Sequence, residues 1–197
     1  MFAGHSVGGT YAMVYAAEHP EDVAGLVLLD SASPHQFTAL PDFPRAYAFL
    51  HRSLALLPTL QRLGAGLLLG SGPAADLPPA ARAQTEAFSW TNHEVRGERD
   101  EVRAYPAMFE QAQALTGLGS APLVVVTATS GAQAGWTTAQ DALARLSRTS
   151  SHRLVPATHA SLLLDPSDYR YSVAAIQGVV RVARTDTPRP ASALSPP

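Results

Sequence analysis

The 197-residue chain contains no cysteine. That excludes a disulfide framework, a thiolate nucleophile and a cysteine-based metal site. It leaves the redox compartment open. Charged residues are scarce, at 15%, and nearly balanced, with a net charge of −2 and a pI of about 6.4. No basic face emerges, so nucleic acid is not an expected partner. Long apolar runs are missing too. The most apolar stretch, Leu54 to Gly70, is broken by Pro58, Gln61 and Arg62 and is too short to span a bilayer. Met1 leads straight into a Gly-rich turn without a charged or apolar leader. The chain as given therefore reads as cytoplasmic; an upstream leader or anchor would lie outside it.

What is present is apolar. Hydrophobic residues make up 46% of the chain, enough for the core of one domain. Residues 1–30 read as a strand end, a turn, a helix from Val7 to Glu18 that stops before Pro20, and a continuous apolar run from Val23 to Leu29. Such a run, bounded by turn signals, fits a parallel strand buried on both faces. Residues 31–120 show amphipathic helical stretches near 44–56, 79–96 and 98–115, with Pro/Gly joints at 70–79 and no strand-like run. Strands resume at Leu123–Val126 and at 152–156. Thr137 or Thr138 is placed to cap a helix, with Gln140 or Asp141 three residues on. Asp165-Pro166-Ser167-Asp168 reads as the start of a helix running to about Arg184. Residues 185–197 hold four prolines among Ser, Thr and Ala and are expected to be disordered. The alternation of strand and helix implies a parallel sheet covered by helices.

Gly4-His5-Ser6-Val7-Gly8 fits the pattern G-x-S-x-G between a strand and a helix. A serine on that turn is lifted clear of the sheet and sits at a helix N-terminus, where free N–H groups and the helix dipole favour developing negative charge. Small residues two before and two after the serine are expected to keep the crowded turn free of collisions. The backbone N–H of Val7 is the expected oxyanion donor.

The stretch Ala3–Asp30, with GHSVGG, a helix ending in EHP and then GLVLLDSASP, resembles the elbow, helix and next strand of the α/β-hydrolase family. The resemblance continues at APLVVVTA, WTTAQDALARLS and PATHASLLLDP. It implies an α/β-hydrolase core over residues 1–30 and 121–184, about four parallel strands of the fold's C-terminal half. Residues 31–120 would then be an inserted helical cap. It also implies a nucleophile at Ser6, a general base and an acid in the order serine, acid, histidine, and no cofactor or metal.

Seven histidines compete for the role of base. His5 is the variable residue beside the serine and is expected near the substrate rather than as base. His19 ends a helix, His51 and His93 lie on insertion helices, and His152 begins a strand. His35 follows the first strand and is expected to line the pocket. His159 follows the last strand, at the sheet edge where reacting groups collect in open α/β sheets, and is the expected base. The family's commonest acid position is the loop after the strand at 122–128, yet Thr127 to Trp136 contains neither Asp nor Glu. The resemblance implies a second position for the acid, at the end of the preceding strand, so Asp30 is the expected acid, ahead of Asp141. Asp141 is better explained by helix capping.

The expected function is hydrolysis of a small-molecule ester- or amide-type acyl substrate through an acyl-enzyme. Haloalkane dehalogenases and epoxide hydrolases of this family use Asp as nucleophile and fit less well. Leu54, Leu56, Leu57 and Leu67 to Leu69 hint at an apolar substrate or at packing within the cap. The family's sheet has four more strands upstream of the elbow, and a His-Gly loop with a second oxyanion donor; neither occurs here. The expectation is a fragment or a start assigned late, with an exposed sheet edge that favours pairing with another chain. The competing reading is a non-catalytic or ligand-binding relative with an incomplete oxyanion hole.

Overall fold

The computed structural model describes residues 1–63, 77–89 and 91–186. Four parallel strands form one sheet in the order β1-β2-β3-β4: β1 is Phe2–His5, β2 Leu26–Leu29, β3 Leu123–Ala128 and β4 Ser150–Val155. Helix α1 (Val7–Glu18) connects β1 to β2. Between β2 and β3 run α2 (Gln36–Ala39), α3 (Phe43–Arg62), α4 (Pro79–Ser89) and α5 (Asn92–Ala112). Helix α6 (Trp136–Ala144) links β3 to β4, and α7 (Ser161–Leu164) and α8 (Tyr169–Asp186) close the described chain.

The apolar runs become strands because both faces of the sheet are covered. Every residue of β2 and β3 is buried. Alternate residues point to opposite faces, as the period of a strand requires. Leu26, Leu28, Leu123 and Val125 pack with Met13 and Ala16 of α1, while Val27, Leu29, Val124 and Val126 pack with Leu162 of α7 and Ala175 and Val179 of α8. The helical segment between β2 and β3 is tied into this core. Ala112, at the end of α5, and Leu115, just after it, join the α1 face, and the Gln113 side chain donates to the carbonyl of Pro34 at 3.0 Å.

Several local expectations need correction. The stretch read as one helix over 79–96 is broken, because the Thr91 hydroxyl accepts from Glu94 N–H at 3.2 Å and starts a new helix. Neither Thr137 nor Thr138 caps α6; both lie inside it, behind Gly135 in the left-handed conformation. Asp165 does not open α8. Its side chain accepts from the Ser167 N–H at 2.7 Å, which holds a turn, and the helix begins at Tyr169 and reaches Asp186. Residues 64–76, which include Leu67 to Leu69 and most of the expected Pro/Gly joint, lie outside the described residues, as does the expected tail from residue 187.

The turn between β1 and α1 also uses its glycines differently from the motif's spacing. A Cβ on Gly4 would overlap the backbone of Gly8 and Gly9. A Cβ on Gly9 would overlap the Ser31 side chain and press Leu28 Cδ2 at 3.1 Å, whereas one on Gly8 meets nothing within 4 Å. The sterically required pair is therefore Gly4 and Gly9. The demand on Gly9 comes from Ser31 on the neighbouring chain segment, which local spacing does not reveal. Gly9→Ala is expected to lower stability by about 1–3 kcal/mol through overpacking. Gly8→Ala should leave it unchanged or raise it slightly, since Gly weakens a helix. Urea unfolding of the two variants checks the contrast.

Candidate active site

The site begins with two adjacent strand ends. His5 of β1 and Leu29 of β2 are in register, so Ser6 and Asp30 follow side by side. Each has a backbone conformation that L-residues avoid, with φ of 55° at Ser6 and 43° at Asp30. Among the described residues they are the two non-glycine positions with positive φ. Such strain persists where surrounding structure over-determines it, and it gathers at functional sites. Here the surroundings are visible. The Ser6 carbonyl accepts from Ala32 N–H at 3.0 Å, Gly9 N–H at 3.2 Å and the Ser31 hydroxyl at 3.1 Å. Asp30 N–H donates to the Val126 carbonyl at 2.6 Å.

Asp30 is 4% exposed, so its carboxylate must be compensated. Oδ1 accepts from the Trp136 indole N–H at 2.6 Å and from Ala128 N–H at 3.1 Å. Oδ2 lies 2.6 Å from Nδ1 of His159. The carboxylate thus sits between the end of β3, the start of α6 and the loop after β4. A carboxylate can only accept, so Nδ1 carries the proton. Nε2 is the ring nitrogen left for proton transfer. The His159 side chain is 49% exposed.

Ser6, Asp30 and His159 line one cavity of about 330 Å³. Ser6 precedes α1 without spending its hydroxyl on a side-chain cap. Val7, the first residue of that helix, lines the same cavity, and a first-turn N–H has no intrahelical partner. Phe43, Tyr105 and Phe109 from the helices between β2 and β3 supply one wall, with the Phe109 ring beside each of the other two. Burial, and then the charge of Glu101, push the Tyr105 phenol up to about 12, so it stays protonated and neutral. Gln36, Ser130 and Gln133 are polar residues at the rim or wall.

Some sequence expectations land elsewhere. His35 is exposed and does not line the cavity; the next residue, Gln36, does. His5 is likewise not a cavity residue. Its Nε2–H donates to the carbonyl of His159 at 2.8 Å, and the two rings lie 4.3 Å apart. It braces the loop that carries His159. Asp141 is not a cap: it pairs with Nδ1 of His152 at 2.6 Å, a different histidine, while His152 Nε2 meets the Thr127 hydroxyl at 2.7 Å. Of the apolar residues read in the helical segment, Leu54 is buried and Leu56 is 64% exposed, so neither forms the cavity wall. Trp136 and Tyr105 were missed. The signal for Trp136 was a lone indole directly after an acid-free loop, but its partner is 106 positions away. His19, Glu21 and Asp22 form a group with ligating atoms close together, but all three are exposed and none lines the cavity. No helix among the described residues is long and apolar enough to cross a membrane.

Two outcomes follow from this network. Trp136→Phe keeps the ring and removes the donor to a buried carboxylate. It should lower stability by about 1–3 kcal/mol, which chemical denaturation measures. The second concerns His5, whose pKa is lowered from 6.5, first by burial and then by the charge of His159. As pH falls below 6.5, the unfolded chain takes up a proton at His5 before the folded chain does. Stability is therefore present above 6.5 and declines toward the lowered folded value. In His5→Gln this part of the acid-side decline should vanish, read as a flatter dependence of the urea midpoint between pH 7 and 5.

The alpha/beta hydrolase fold model matches residues 2–166. No curated protein matches the sequence. Similar solved structures include a protein of Nostoc sp PCC 7120 assigned to the alpha/beta hydrolases, at 18% identity and a TM-score of 0.65, covering 87% of this chain and 63% of that one. The haloalkane dehalogenase DatA from Agrobacterium tumefaciens C58 is similar at 14% identity and a TM-score of 0.59, covering 91% and 66%. A thermophilic esterase from Thermogutta terrifontis is similar at 21% identity and a TM-score of 0.52, covering 92% and 64%. The chain thus spans less than two thirds of each of these three proteins, and at such identities the likeness concerns the fold. With its family model matched over most of its length, the chain belongs to the alpha/beta hydrolase fold family.

Proposed function

We infer that the chain carries a serine hydrolase site acting on an ester- or amide-type acyl substrate. The observation that supports this most is the 2.6 Å contact between the buried Asp30 carboxylate and His159 Nδ1, at a cavity that Ser6 also lines. In this reading Asp30 orients the imidazole and stabilises its charged form. Nε2 of His159 takes the proton from the Ser6 hydroxyl as Oγ attacks the carbonyl carbon. The tetrahedral oxyanion is met by the Val7 N–H at the start of α1. Collapse expels the alcohol or amine, which receives the proton from His159, and leaves an acyl group on Ser6. Water, deprotonated by the same nitrogen, releases the acid and restores the site.

The family includes proteins that use an aspartate nucleophile at this turn. Serine at position 6 favours acyl transfer over displacement on an alkyl halide or epoxide. The wall of Phe43, Tyr105 and Phe109 favours an apolar acyl or leaving group.

A fluorophosphonate probe tests the reading without knowledge of the substrate. The wild-type chain is expected to be labelled at Ser6, identified by peptide mass, and Ser6→Ala should not be labelled. Asp30→Asn should slow labelling by on the order of 10⁴, the scale of losing the orienting carboxylate in a serine triad. Asp141→Asn should leave it unchanged. A folded wild-type chain that resists the probe would favour a ligand-binding relative over a hydrolase.

A further inference from the structure

The sheet has a second cavity, of about 420 Å³, at the end away from Ser6. It lies between the starts of β3 and β4 and the middle of α8. Leu123, at the start of β3, lines it, whereas Ala128, at the end of the same strand, lines the Ser6 cavity. Five steps along a strand separate the two by roughly 15 Å.

The chemistry of this cavity is distinct. Arg148, Arg153 and Arg181 all line it, and none of its lining residues is acidic. Among the described residues, the ion pairs are made by Arg99, Arg103, His152 and His159, and these three arginines face no carboxylate. Arg153 comes from β4 and Arg181 from α8, yet their guanidinium groups converge on one point. The NH2 of Arg153 lies 3.7 Å, and that of Arg181 4.0 Å, from the position a Cβ on Gly178 would take. Gly178 sits inside α8, where Gly weakens the helix, and leaves the space between the two cations open. Like charges held together in this way are relieved by an anion between them. The chain has no lysine, so every side-chain cation other than histidine is a guanidinium. Its planar fork of donors matches phosphate oxygens. Ser151, on the same face of β4 as Arg153, adds a hydroxyl to the lining. The remaining wall is apolar, with Val124, Val179 and Val182.

We propose that this cavity binds a phosphate monoester. The dianion sits between Arg153 and Arg181, with Arg148 as a third cation, and the apolar organic part lies against Val124, Val179 and Val182. The site is separate from Ser6 and does not depend on the hydrolase reading.

The test uses the full chain with two probes. Octyl phosphate, titrated calorimetrically at low salt, presents a free phosphate ester. Phosphatidylcholine vesicles containing phosphatidic acid, in a co-sedimentation assay, present the same group as a lipid headgroup. Wild type is expected to bind, and Arg153→Gln/Arg181→Gln to bind at least tenfold more weakly with unchanged far-UV circular dichroism. Gly178→Leu fills the gap without removing a charge, favours the helix, and should weaken binding as well. Binding of octyl phosphate assigns a soluble ester, and binding of the vesicles alone assigns a headgroup. Failure to bind either probe, or affinity unchanged in both variants, would overturn the proposal.

Discussion

A carboxylate that is 4% exposed in a sheet of aliphatic residues is unfavourable unless its oxygens are all engaged, and the neighbourhood of Asp30 is arranged around that demand. Three N–H donors reach it, from Ala128 at the end of β3, Trp136 at the start of α6 and His159 after β4. The group therefore draws together three segments that are distant in sequence. It also fixes the tautomer of His159, because an acceptor on Nδ1 leaves the lone pair on Nε2. An uncompensated Asp30 would destabilise the fold at the point where β2 and β3 end, so the same interaction supports the site and the sheet.

The strain at the strand ends serves the same arrangement. Ser6 and Asp30 both turn into positive φ immediately after adjacent parallel strands, and that turn swings each side chain out of the sheet toward the cavity. Conformations of this kind cost of order 1–3 kcal/mol each. The hydrogen bonds on the Ser6 carbonyl and the close approach of Gly9 to Ser31 offset part of that cost. Glycine at positions 4 and 9 is thus a consequence of how tightly α1 must settle on β1 and β2 for Ser6 to stand at its N-terminus.

What the sequence disclosed follows a physical divide. The strands β2 and β3 are legible because burial on both faces leaves an unbroken apolar run, and α1 is legible because its limits are set locally by the turn and by Pro20. The four-strand parallel sheet follows from that alternation. The position of Asp30 at the end of a buried strand was readable, and its contact with His159 follows from the parallel strand ends. Features that depend on tertiary neighbours were not readable. Trp136 matters through a carboxylate 106 residues away, Asp141 is engaged by a histidine on β4, and Gly9 is required by Ser31. His35 and Gln36 differ by one step at the start of the four-residue helix α2, which is too short for periodicity to decide which side chain turns inward. The start of α8 shifted because Asp165 spends its carboxylate on the turn before the helix.

The central claim is that Asp30 holds His159 with its proton on Nδ1 and Nε2 free to act on Ser6. Side-chain ¹⁵N–¹H correlation spectra of the neutral imidazole measure this directly, since the two ring nitrogens resonate far apart when only one is protonated. The account predicts the Nδ1–H tautomer for His159 in the wild-type chain, with the Nδ1 proton shifted strongly downfield by the carboxylate and that shift lost in Asp30→Asn. A His159 that populates the Nε2–H tautomer in the wild type, or whose Nδ1 proton is indifferent to Asp30→Asn, would contradict it.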